Sequence, residues 1–205
     1  MTFQWIVDNA ETISIDQKRV IGTTTTRDGT VRNVSRGGQV WRFEVKLPDG
    51  PRWTDYRTRI AQAQNLDRTT VAGISLSTAG QDWLYKYQGN SVNKTGFVAD
   101  IVQGSNTITL TSSPTTAAGH KFLAGDYVQL GTSGKVYQVS ADVVYTSNTV
   151  TLNRPVLDAT AADVALKVAE DCTWQVVCVE FPTWTLFSRD QVSWSGPFVF
   201  VENLV

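Results

Sequence analysis

Apolar and polar residues alternate in short runs along most of the chain. The clearest run sets Trp41, Phe43, Val45 and Leu47 against Val40, Arg42, Glu44 and Lys46. A period of two puts the first set on a core face and the second on a largely polar face, so this stretch predicts a half-buried strand. Upstream, residues 3–7, 13–15, 23–26 and 31–34 are β-prone pieces punctuated by Asp28-Gly29 and Gly37-Gly38, which predicts edge strands and a hairpin. The period changes after Pro48-Asp49-Gly50-Pro51, where Trp53, Tyr56, Ile60 and Ala63 recur at helical spacing. Asp55 and Arg59 lie one turn apart on the polar flank, and Pro51 is placed to open the helix because its missing N–H would have no partner in a first turn. This is the only helix the pattern predicts. Residues 69–77, with Val71, Ile74 and Leu76, return to β character, and residues 83–87 read as a further strand before the turn-rich stretch 88–96.

The organising segment is 122–157. Within it Val128, Leu130, Val136, Val139, Val143, Val144, Val150 and Leu152 sit in short β-branched runs separated by Gly131, Gly134 and Ser147-Asn148. That punctuation predicts a meander of antiparallel strands forming a small β-barrel. One hexapeptide pattern occurs twice, at residues 105–110 (SNTITL) and 147–152 (SNTVTL), each a Ser-Asn turn followed by Thr alternating with an aliphatic. Two strands in similar barrel positions are expected, although such strings also recur by chance in β proteins, and two copies do not make a repeat protein. Residues 161–168 close the segment with a last strand. Beyond it, Cys172, Trp174, Val176 and Cys178 form one face of a strand, and Val192, Trp194, Phe198 and Phe200 a face of another.

The seven Trp lie at 5, 41, 53, 83, 174, 184 and 194, leaving the middle of the chain without any. That distribution, with the change of texture near Gly89, predicts a discontinuous outer β domain from residues 1–88 and 171–205. Residues 89–170 are expected to form an inserted barrel.

Composition narrows the function more than the fold. A chain of 205 residues buries enough surface to need no covalent staple. Its two Cys, six residues apart in an extended run, would lie ~20 Å apart, beyond disulfide reach, and are expected to be buried thiols of a reducing compartment. A net charge of -1 without basic blocks speaks against tight DNA or RNA binding. No stretch approaches the ~20 apolar residues of a membrane span, and the first residues lack the pattern of an export signal, so a soluble protein is expected.

Catalytic chemistry finds little purchase. The one His, His120, lies in a turn-like stretch with no predicted nucleophile beside it, and no spacing of Cys, His or carboxylates matches a metal site. Residues 131–135 (GTSGK) resemble part of a phosphate loop but lack its spacer and run into a strand, so a hairpin turn accounts for them better. Asp100, Asp126, Asp142, Glu170 and Asp171 offer carboxylate pairs only in the sense that any chain with 19 acids does. No enzyme activity, metal or cofactor is expected. The aromatic content raises carbohydrate binding as the alternative function. Most Trp occupy inward positions, leaving Tyr85, Tyr87, Tyr127, Tyr137 and Tyr145 as candidates for an exposed interaction surface, for sugar or for subunit contact.

Three stretches carry a family resemblance: residues 45–64 (VKLPDGPRWTDYRTRIAQAQ), 123–143 (LAGDYVQLGTSGKVYQVSADV) and 192–205 (VSWSGPFVFVENLV). In this order they resemble the distal tail protein of long-tailed (siphovirus-type) bacteriophages. The similar form has an oligonucleotide/oligosaccharide-binding-type (OB-like) barrel inserted into a tail-tube-like β-sandwich. The resemblance implies a homohexameric ring at the end of the tail tube, surrounding the DNA channel, with the tail tube protein and the baseplate or tail-tip hub as its neighbours. It implies a virion protein assembled in the bacterial cytoplasm. The large carbohydrate-binding or peptidase extensions of some tail proteins are absent from this sequence.

Overall fold

The computed structural model describes residues 3–65, 70–76, 86–91, 93–114, 118–131, 133, 135–187 and 190–204, without the side chains of 18–23 and 32–38. The protein is mainly β, with antiparallel sheets and a half-barrel. It divides into two compact units, Met1–Ala72 with Val176–Val205, and Gly73–Gln175.

The first unit is built on a long hairpin, β1 (Thr12–Thr25) and β2 (Val31–Lys46), in register from Thr12↔Lys46 to Thr25↔Val31. Its turn uses the expected residues. Thr26 and Thr30 close the loop through Thr26 N–H→Thr30 O at 2.9 Å, and Gly29 takes a φ of 83° that an L-residue adopts only with strain. The Asp28 carboxylate accepts from the Thr26 hydroxyl and, at 3.2 Å, from the Thr30 N–H, and these bonds hold its carboxyl below the usual range. Gly37-Gly38, expected as a second turn, lies inside β2 instead. There Arg19↔Gln39 is followed by Ile21↔Ser35, so β2 spends four steps where β1 spends two, and the glycines mark a bulge.

The alternation at 41–47 appears as read, with Trp41, Phe43, Val45 and Leu47 buried. Strand β15 (Phe198–Glu202) pairs with β2 so that Phe200 faces Phe43, and sheet order is β1-β2-β15-β12-β3, with β12 at Trp174–Glu180 and β3 at Ala72–Ile74. Residues 3–7, expected as a strand, are helical instead: α1 is Gln4–Asp8. Phe3, Trp5, Ile6 and Val7 are all buried, and Gln4 donates to Asp8 at 2.9 Å across the turn. Phe3 packs on Phe200 at 5.1 Å between centroids. The predicted helix is α2 (Trp53–Gln64), burying Ile60 and Ala63, with Arg52 as its cap; Pro51 therefore precedes the helix instead of occupying its first position. Residues 192–200, read as one strand, are two. Strand β14 (Gln191–Trp194) pairs with β13 (Trp184–Phe187) in a small sheet of its own, and β15 begins after the turn.

The second unit holds a six-stranded antiparallel sheet in the order β10-β5-β4-β11-β7-β8. The strands are β4 (Val98–Ile101), β5 (Thr107–Ser112), β7 (Tyr127–Leu130), β8 (Val136–Gln138), β10 (Thr149–Thr151) and β11 (Ala161–Val168). A separate pair, β6 (His120–Phe122) and β9 (Val143–Val144), completes the unit. The sheet curls until its edge strands meet at one bridge, Val139↔Leu152, supported by Ser140 N–H→Thr151 O and Asn153 N–H→Gln138 O, both 2.9 Å. Inside lie Phe97, Ala99, Ile108, Leu110, Phe122, Val128, Leu130, Val139 and Val150.

The two hexapeptides turn out to be partners. Val150 pairs with Ile108, its own counterpart, flanked by Thr149↔Thr109 and Thr151↔Thr107. Leu110 N–H→Asn148 O at 2.7 Å is mirrored by Leu152 N–H→Asn106 O at 2.8 Å. A local twofold axis thus passes between Ile108 and Val150, and both turns are closed by a Ser hydroxyl accepting the N–H two residues on, at 3.1 Å from Thr107 and 3.3 Å from Thr149.

Candidate functional site

Four of the five tyrosines expected at a surface fall among the described residues; Tyr85 lies outside them. Tyr137 is fully buried, which corrects the expectation of an exposed side chain. Its hydroxyl donates to Asp158 Oδ2 at 2.6 Å and accepts from the Leu157 N–H at 2.9 Å. The guanidinium of Arg154, also buried, lies 5.0 Å from the ring centroid and donates to Val136 O at 2.8 Å. Burial, and then the bond to Asp158, push the phenol well above its ordinary range. Tyr137 is thus a core residue whose polar end is satisfied internally.

Tyr87 and Tyr127 are half-buried. Tyr87 packs edge-on against Phe97 and Phe122, at 6.3 and 6.0 Å, and its hydroxyl donates to Lys121 O. Tyr127 meets Trp174 edge-on at 5.9 Å. Burial raises both phenols. Only Tyr145 is exposed, at 49%. The four side chains therefore do not form an aromatic platform: two serve as seams of the core, one lies within it, and one stands outside.

Several of the residues weighed for chemistry have structural partners. His120 sits half-buried on β6, paired with Val144. Both cysteines are free and buried, and burial drives the Cys172 thiol far above its usual range, the opposite of an activated nucleophile. Asp126 is buried and accepts from the Leu123 and Gln88 N–H groups at 2.9 and 3.0 Å, with burial raising its carboxyl. Asp142 accepts from the Ala124 N–H at 2.8 Å and Asp100 from the Asp163 N–H at 3.0 Å, while Glu170 pairs with Lys94. Strands β7 and β8, on either side of residues 131–135, pair antiparallel; 132 and 134 lie outside the described residues. Among the described residues no group of three or more His, Cys, Asp or Glu is placed to hold a metal, and no helix is long and apolar enough to cross a membrane.

What the sequence did not single out is a surface on the first unit. Trp53, the first residue of α2, stacks on Trp184 of β13 with centroids 4.6 Å apart and planes 27° apart. The strap before α2 is stitched to β14 through Gly50 N–H→Val192 O and Val192 N–H→Pro51 O, both 2.9 Å, and Trp53 N–H→Asp190 O at 2.8 Å. These bonds fix Trp53 where Trp184 can lie against it. Beside the pair opens a groove of about 410 Å³ lined by Gln64, Phe181, Pro182, Thr183 and Trp184. Strand β13 continues outward with Leu186 and Phe187, which are 47% and 58% exposed. The sequence signal was available, since Trp184-Thr185-Leu186-Phe187 has apolar residues on both faces and no polar face to turn to water.

The sequence matches no protein-family model, and comparison with curated proteins finds no match.

Proposed function

We propose that the chain is a structural component of a bacteriophage tail, assembling with copies of itself into a hexameric ring at the distal end of the tail tube. The ring would join the tube protein to the baseplate or tail-tip hub and surround the DNA channel. The observation that carries this reading is the β1–β2 hairpin. Among the described residues, β15 covers β2 only from Arg42 to Val45, so the remainder of the ribbon, out to Thr25↔Val31, pairs only with itself. A two-stranded ribbon standing alone is marginally stable in water, and its open edges invite a further strand or sheet. A head-to-tail ring supplies such a partner to every copy at once.

Three further features support the reading. The three stretches quoted above resemble distal tail proteins in the same order. Of the carboxylates weighed for catalysis, Asp100, Asp126 and Asp142 accept backbone N–H groups and Glu170 pairs with Lys94, as a scaffold permits. A net charge of -1 suits a conduit, since a strongly basic bore would hold DNA by counterion release. The test is immunogold electron microscopy of virions with antibody against this chain: label at the tail tip supports the proposal, and label confined to capsids overturns it.

A further inference from the structure

We infer that the groove beside Trp184 is a binding site for a saccharide, a site distinct from the barrel tyrosines and independent of ring assembly. One face of Trp184 is braced by the Trp53 indole at 4.6 Å, so the side chain lines the groove without the rotamer freedom that binding would otherwise remove. Phe181 is held likewise, edge-on against the buried Phe198 at 4.8 Å. Aromatic surface fixed in advance suits the C–H face of a pyranose ring.

The polar groups complete the match. Gln64, exposed at the end of α2, brings an amide with both donor and acceptor capacity, and the exposed Thr183 brings a hydroxyl. Hydroxyl-bearing ligands suit this combination of an aromatic face with amide and hydroxyl groups. A volume of about 410 Å³ lies within the ~300–1,000 Å³ of small-molecule sites and holds one or two sugar rings.

The test is titration of the full chain, by calorimetry and saturation-transfer NMR, with glucose, galactose, N-acetylglucosamine and their β-linked disaccharides. The expected result is saturable binding of at least one of them. Trp184→Ala should weaken it at least about tenfold, the change that ~1.4 kcal/mol represents. Gln64→Ala, on an exposed helix surface that tolerates substitution, should weaken it severalfold, and Tyr145→Ala should leave it unchanged. Absence of saturable binding to every sugar, binding that survives Gln64→Ala and Trp184→Ala, or binding instead of a proline-rich peptide would overturn the inference. Particle mass, read separately, reports on the ring, so failure of one proposal leaves the other standing.

Discussion

Tyr137 shows what single residues contribute here. Removing only its hydroxyl, in Tyr137→Phe, leaves the Asp158 carboxylate and the Leu157 N–H without their partner. The expected cost is ~1–3 kcal/mol in urea unfolding, with an unchanged m-value. Asp126 gives a pH signature. Its carboxyl is raised above 3.8 by burial, so between 3.8 and the raised value the folded chain binds the proton more readily than the unfolded chain. Stability from this group therefore falls as pH rises through that window. Asp126→Asn removes the titration, and the variant's unfolding free energy relative to the wild type should rise over the same window, as measured by urea titrations across acid pH. Neither role was legible from sequence. The chain shows that Tyr137 lies in a strand, but the burial of its ring depends on Asp158, 21 residues away, arriving to meet the hydroxyl. The expectation of an exposed tyrosine failed for want of that long-range partner.

At the scale of elements, reading was most successful where the pattern was local. The alternation at 41–47, the helix face Ile60–Ala63 and the Asp28-Gly29 turn follow from spacing and from glycine's access to positive φ. Gly29→Ala should cost ~1 kcal/mol, measurable as a lowered thermal midpoint, because the new residue must hold a φ of 83°. Elsewhere one residue type has two structural meanings. Gly37-Gly38 signals a turn or a bulge equally well, and only the pairing of Arg19 with Gln39 and Ile21 with Ser35 decides between them. In residues 3–7 the apolar set fits both periods, and the burial of Trp5, Ile6 and Val7 in succession is what a strand with one buried face does not give. The doubled hexapeptide was visible, but its meaning was not: similarity of sequence does not tell that the copies pair across a shared axis.

For the whole molecule, the clustering of Trp led to the expectation of an outer domain from residues 1–88 and 171–205 around an insert of 89–170. The units divide after Ala72 and after Gln175, where the sequence suggested 88 and 170. The difference follows from residues such as Tyr87 and Trp174, which pack with Phe97, Phe122 and Tyr127 of the second unit although their composition resembles that of the first. The groove beside Trp184 was missed for a related reason, since its walls come from the end of α2 and from residues more than 100 positions later. Assembly belongs to this scale as well. A ribbon that, among the described residues, pairs mostly with itself should matter more to association than to folding, so replacing residues 20–37 by a short turn should leave each chain folded by circular dichroism while abolishing the assembly. The most direct measurement is the mass of the native particle, by analytical ultracentrifugation of wild type and shortened variant at matched concentration. The account predicts six times the chain mass for the wild type and one chain mass for the variant. A wild-type chain that remains monomeric at high concentration would contradict it.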